Sequence, residues 1–303
     1  MNGFEQTLIG GIAGGTAIVI PALGELTSEL SGIVNLGTEG CMLVGALGAY
    51  AVAVATGSAE IGVVGGAVAG AVFGLLHAYL TIYRKADQLT SGLVIWFLAL
   101  GITGVLGTGY VNDAITPLPI ISIPGLSQVP WLGPILFRQN LLVYAGYILI
   151  ALMIFVLRKS RIGLLLKATG ERPEVVSVAG NHPNLIQVTA VTVGALFAGI
   201  GGAQLSVGYV GTWFDDMTSG YGFVAVAVVL FASWKPLRVM VGAYVFGIAL
   251  SAESVLQTNG IAINQYLLDA LPYLVTLIAL VIVSRRGGRK APEALSRALT
   301  DVT

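Results

Sequence analysis

Apolar runs recur along the chain at approximately 7–23, 40–56, 60–82, 88–108, 141–157, 184–206, 221–234, 238–256 and 266–284. A membrane crossing needs about 20 apolar residues, fewer where helices are short or broken, so the pattern predicts nine passes. The run at 221–234, YGFVAVAVVLFASW, is short for a full crossing and reads as a half-helix with its ends covered by protein. Between the first two runs stands NLGTEG, residues 35–40. It predicts a helix break, with Asn35 and Thr38 ending one segment and capping the next. Glu39 then lies at a helix N-terminus, where the positive dipole end lowers the cost of its charge. The first Lys or Arg in the chain is Arg84, so backbone N–H groups are the expected partners of Glu39. Broken helices of this kind line solute sites in transporters.

Composition strengthens this reading. Only 10% of residues are charged, against about 25% in soluble domains, and the 41 glycines suit close helix packing in a bilayer. The expected class is an all-α polytopic membrane protein. Gly62, Gly66, Gly70 and Gly74 line one helix face, as do Gly194, Ala198 and Gly202, and Gly10 with Gly14. Such stripes serve either packing within the chain or a subunit interface.

The zero net charge hides an asymmetry. Basic residues gather at Arg84/Lys85, from Arg158 to Arg172, at Lys235/Arg238 and from Arg285 to Lys290. Placing all four groups in the cytoplasm agrees with nine passes, an outside N-terminus and a cytoplasmic C-terminus, with Arg138 as the exception. Residues 1–286 then form the membrane domain and 287–303 a polar cytoplasmic tail. Residues 109–140, with five prolines, form an external segment without a long helix, and 158–183 the largest cytoplasmic connection. No basic n-region marks a cleaved signal peptide, and no basic run suggests nucleic acid.

Catalytic motifs are absent from the sequence. No G-x-x-x-x-G-K-[ST] occurs, His77 and His182 lack metal-ligand spacing, and lone Cys41 reads as a small apolar side chain. The remaining candidates are intramembrane polar residues: Glu39, Glu253 and Asp269, with Gln88, Gln204 and Gln257 as neutral ones. A charge at mid-bilayer costs roughly 2.5–3.5 kcal/mol, so it usually faces a cavity or a partner. Glu253 and Asp269 read equally well as interfacial residues.

In the cytoplasmic connection, Pro173 suits the first turn of a short helix and Glu174 its positive end. Val175, Val176, Val178 and Ala179 supply an apolar face, and Gly180-Asn181 ends it. Such a helix either lies in the interface or inserts into a groove on a partner.

Here the chain resembles a family. GERPEVVSVAGNHP is similar to the coupling segment of ABC-importer permeases for ribose, branched-chain amino acids and nucleosides. SGIVNLGTEGCMLVGALGAY resembles that superfamily's second-helix signature. ADQLTSGLVIWFLALGIT, IPGLSQVPWLGPILFRQNLLVY, GYGFVAVAVVLFASWKP and LPYLVTLIALVIVSRR resemble its nucleoside-type branch in the same order. The likeness runs from about Ile9 to Arg286 and is nearest to the shorter of the two permeases of nucleoside importers. It departs at Trp96, where the branch often carries asparagine.

The resemblance implies a permease subunit in the bacterial or archaeal cell membrane, forming half of a pathway for nucleosides or similar small polar solutes. It implies a second homologous permease and a lipid-anchored or periplasmic solute-binding protein as partners. ATP and Mg would be held by a separate ABC ATPase, leaving this chain without a cofactor or metal of its own and without catalysis. Gly170, Glu171, Pro173, Glu174, Ala179, Gly180 and Asn181 would contact that ATPase. Asn35, Thr38, Glu39, Gln88, Ser91 and Trp96 are the expected pathway residues, with interhelical hydrogen bonding as the competing role for each. Tyr209, Trp213 and Phe214 near the outer mouth are weaker candidates. A simple-sugar or branched-chain amino acid permease is the rival within the family. Outside it stand an ATP-independent carrier coupled through Glu39 and Glu253, and a structural scaffold.

Overall fold

The computed structural model describes residues 3–111 and 113–258, together with Leu274, Pro292 and Glu293. In chain order its helices are α1 (Gly3–Leu30), α2 (Thr38–Thr56), α3 (Ala59–Ala78) and α4 (Gln88–Leu106), then the short α5 (Leu132–Leu136). There follow α6 (Leu141–Lys159), α7 (Arg161–Glu171), α8 (Pro173–Val178), α9 (Pro183–Ala203), α10 (Tyr221–Phe231) and α11 (Pro236–Thr258). Wider π turns extend α3 over Tyr79–Tyr83 and α9 over Gln204–Val210. Among the described residues, seven helices are long and apolar enough to cross a membrane: α1, α2, α3, α4, α6, α9 and α11.

The expectation of nine passes is met only in part. The run at 221–234 forms an 11-residue helix, roughly 17 Å long and about half the hydrocarbon thickness. Apart from Leu274, the ninth run, 266–284 with Asp269, lies outside the described residues. The first helix also extends past the expected end at residue 23 to Leu30. From Gly15 to Gly24 every residue is buried, because α6, α9, α10 and α11 surround this helix. Polar residues in its last turns therefore meet protein rather than lipid.

Two apolar cores flank α1. One joins α2 to α9 through residues such as Met42, Tyr50 and Ala198; the other joins α1 to α6, α10 and α11 through Leu23, Met153, Val229 and Phe246. The stripe at Gly62–Gly74 packs inside the chain. A methyl added at Gly62 or Gly66 would lie 2.6 Å from the carbonyl oxygen of Ala49 or Gly45, and one at Gly70 2.5 Å from that of Ala195. Gly194 likewise meets Gly24, whereas Gly14 faces open space.

The segment 109–140 contains only short elements. Strands β1 (Ile120–Ser122) and β2 (Arg138–Asn140) pair antiparallel, Ile121 opposite Gln139. Backbone bonds from Ile115 to Gly211 and from Leu118 to Val207 pin the segment over the end of α9. Beneath it, Gln204 donates to the Ala13 carbonyl at 3.1 Å and accepts from Asn140 Nδ2 at 3.1 Å. The intramembrane glutamine is thus a strut between α9, α1 and the start of α6.

Candidate functional site

The break predicted around NLGTEG exists, and its backbone is buried. Gly32, at φ +94°, adopts the left-handed turn that ends α1, and its amide returns to Glu29 O at 3.0 Å. Residues 33–37 then run back alongside the last turns of α1 to the start of α2. Irregular backbone at membrane depth requires protein partners, and several elements provide them. Gln88, the first residue of α4, accepts from Val34 N at 2.9 Å and donates to Gly32 O at 3.3 Å. His77 Nε2 meets Val34 O at 3.2 Å, so in the neutral ring that nitrogen carries the proton and Nδ1 accepts from Ser91 Oγ at 3.1 Å. From α1, Glu25 accepts from Asn35 N at 2.8 Å and from Thr38 Oγ1 at 2.9 Å. Five of the six expected pathway residues, Asn35, Thr38, Glu39, Gln88 and Ser91, therefore converge on this break.

Glu39 is in the first turn of α2, as expected, but its carboxylate serves another helix. One oxygen accepts from Thr218 Oγ1 at 2.6 Å and Gly220 N at 2.9 Å; the other accepts from Gly222 N at 2.6 Å. Helix α10 starts after Gly220, which has no side chain to cap its free N–H groups. Glu39 supplies the cap from a distant part of the chain, and it is 1% exposed. The approach requires glycine at 222, where a methyl would lie 2.5 Å from the Glu39 backbone nitrogen. The turn leading in carries Asp216 and Ser219 at positive φ, conformations that cost energy and persist only when surroundings hold them.

The other end of α10 has a second carboxylate. Ser233 and Trp234, both at positive φ, reverse the chain into α11, and Trp234 Nε1 donates to Glu29 Oε2 at 2.6 Å. The second oxygen of Glu29 is buried without a hydrogen-bond partner. Among the described residues no cation pairs with Glu25, Glu29 or Glu39. Glu25 and Glu29 were outside the predicted first span. Their signal was the spacing of Leu23, Leu26 and Leu30, which continues the apolar pattern around two glutamates one turn apart.

Trp96 lies five residues past Ser91 on the same helix, α4. Its ring stands 5.1 Å from Phe223 in an edge-to-face arrangement and 4.8 Å from Phe97. Both Trp96 and Phe223 are half-buried, and Phe223 follows the glycine that Glu39 holds. The indole Nε1 is buried without a hydrogen-bond partner. A cavity of about 280 Å³ between α1 and α11 is lined by Gln6, Tyr209, Tyr221, Ser251 and Ser254 among others. Trp213 is buried and Phe214 exposed. Glu253 is half-buried near the end of α11, accepting from Gln257 at 3.2 Å. Asp87 caps α4 by accepting from Thr90 N at 2.8 Å, and hydrogen bonds from the Thr90 hydroxyl and amide hold its carboxyl below the usual range.

The connection after α6 forms two helices. Pro173 is the first residue of α8, Glu174 lies in its first turn, and Gly180 at φ +79° follows its end. Val176 is buried while Val178 is 91% exposed, and Asn181 bonds back to Ala179 and Val176. The end of α7 rests directly on the break: a methyl at Gly170 would strike the Leu30 carbonyl and come within 3.2 Å of Gly32 N. Glu171 accepts from Glu293 N, and Arg172 pairs with the Glu293 carboxylate at 3.5 Å.

Residues 7–283 match the family model described as branched-chain amino acid transport system, permease component. A putative glucose ABC transporter permease of Haloferax volcanii is 34% identical over 88% of this chain and 87% of its own length. A guanosine ABC transporter permease of Bacillus subtilis is 32% identical over 90% and 91%. A nucleoside ABC transporter permease of Lactococcus lactis is 31% identical over 88% of each. No solved structure matches.

Proposed function

The chain belongs to the permease family of the branched-chain amino acid type, and from that membership we propose that it forms half of an ATP-driven import pathway for nucleosides. The observation that carries the ATP-driven part is the junction of α7 and α8. A short helix exposes Val175 and Val178, while the preceding helix touches the break through Gly170. A separate ABC ATPase gripping Glu171, Pro173, Glu174, Ala179, Gly180 and Asn181 would move α8, and Gly170 would pass that motion to residues 30–32. ATP and Mg belong to that ATPase. A second homologous permease completes the pathway, and a lipid-anchored or periplasmic binding protein delivers solute to the external segment 109–140. The cytoplasmic side bears 84–85, 158–172 and 235–238, with the N-terminus outside.

Within the pathway, Trp96 and Phe223 form an aromatic wall on which a nucleobase can stack. Asn35, Thr38, Glu39, Gln88 and Ser91 shape the space behind it by fixing the break and the start of α10. The relatives named for guanosine and nucleosides support a nucleoside over a branched-chain amino acid.

The test is uptake in proteoliposomes. The chain assembled with its ATPase and second permease should take up labelled guanosine only with ATP and binding protein present, and glucose should not compete. Uptake by this chain alone under an ion gradient would overturn the ATP-driven reading; competition by glucose would overturn the nucleoside assignment. Glu171→Ala and Gly180→Pro should weaken co-purification of the ATPase while the chain stays in the membrane. Unchanged co-purification of both would remove α8 from the docking role.

A further inference from the structure

A groove of about 470 Å³ opens between α6, α7 and α9, with Thr27 of α1 among its lining residues. Its walls include Leu152, Val156, Ile162, Leu165, Val193 and Phe197. It faces outward, since Leu152, Ile162 and Val193 are 51%, 69% and 42% exposed. From Ile186 to Phe197 its wall follows α9 for about 16 Å, the depth of one leaflet of a bilayer core about 30 Å thick. The shallow end lies where α6 meets α7, and there Arg158, Lys159 and Arg161 are all exposed. No Asp or Glu occurs between Asn140 and Lys167, so this corner carries uncompensated positive charge along the chain.

We propose that the groove is a binding site for an anionic phospholipid of the leaflet bordering residues 158–161. One acyl chain lies between Leu152, Leu165 and Phe197, and the phosphate meets Arg158, Lys159 and Arg161. Both halves of the ligand are required by the geometry. The apolar walls have the depth of a lipid tail, and exposed basic side chains attract anionic headgroups at the membrane surface. The bound chain packs against α7, whose far end touches the break at Gly170, so the lipid braces the segment that carries α8.

Native mass spectrometry of the full-length protein, titrated with phosphatidylglycerol or phosphatidylcholine, tests the site without reference to transport. Phosphatidylglycerol should be retained over phosphatidylcholine. Arg158→Gln combined with Arg161→Gln should weaken that retention about tenfold or more, given the attraction of each basic residue to an anionic surface. Val193→Trp, which fills the groove and leaves the charges in place, should also weaken it. Equal retention of the two lipids would overturn the proposal, as would unchanged phosphatidylglycerol binding by Val193→Trp in protein of normal thermal stability. Loss of the second permease from the complex in Val193→Trp, with lipid retention intact, would also overturn it and assign the groove to that subunit.

Discussion

The two ends of the half-helix Tyr221–Phe231 are held by the same chemical group in unequal ways. At the start, Glu39 accepts three hydrogen bonds on two oxygens, two of them from backbone amides. At the finish, Glu29 accepts one, from the Trp234 indole, and its other oxygen is unpartnered. The first arrangement replaces a missing helix cap and fixes backbone; the second fixes one side chain beyond the helix. A helix anchored firmly at one end and lightly at the other is suited to pivot. The firm end lies beside the Trp96–Phe223 wall, and the light end lies next to the turn into α11. Both glutamates come from the pair of helices joined at the break, so displacement of the break reaches both ends of α10.

Removing the firm anchor should have the largest effect. Glu39→Ala leaves two backbone amides and a hydroxyl buried without partners, at about 1–3 kcal/mol each, so a loss of roughly 3 kcal/mol or more is expected from thermal unfolding in detergent. Trp234→Phe removes only the single bond to Glu29 and keeps most of the ring. By leaving the buried Glu29 carboxyl without a partner it should cost about 1–3 kcal/mol, less than Glu39→Ala, and equal losses for the two variants would erase the asymmetry. Trp96→Asn breaks the aromatic contact worth about 0.5–1.5 kcal/mol and should change uptake rate or solute preference more than stability. A variant transporting like the parent would take Trp96 out of the pathway. The smallest effect belongs to Asp87, whose carboxyl is held low by its hydrogen bonds from Thr90. Its cap contributes above the ordinary carboxylate range and is lost as pH falls through the depressed value. The gap in melting temperature between parent and Asp87→Ala should therefore narrow on acidification.

Much of this architecture was legible in the chain, for identifiable reasons. Local signals survived folding: Pro173 and Gly180 bound α8, and the polar residues of NLGTEG mark the break, because backbone chemistry at those points depends on near neighbours. Glu39 was legible as a residue of a helix start, but the helix it caps begins 182 positions later in the chain, and no local pattern connects them. Gln88 and Ser91 were legible as polar pathway candidates; their attachment to Gly32, Val34 and His77 is a tertiary fact. The ends of α1 escaped because a hydropathy reading treats lipid as the only surroundings, and Glu25 and Glu29 then appear too costly to include. Enclosure of α1 by four other helices removes that cost. The short α10 was legible by length, since a run of 14 residues cannot comfortably cross the bilayer.

Hydrogen–deuterium exchange of the full-length protein, comparing peptides covering 218–226 and 229–236 in the parent and in Glu39→Ala, tests the anchoring most directly. The parent should exchange more slowly at 218–226 than at 229–236. Glu39→Ala should release the first peptide by far more than the second. Unchanged protection at 218–226 in Glu39→Ala would contradict the assignment of Glu39 as the anchor of this helix.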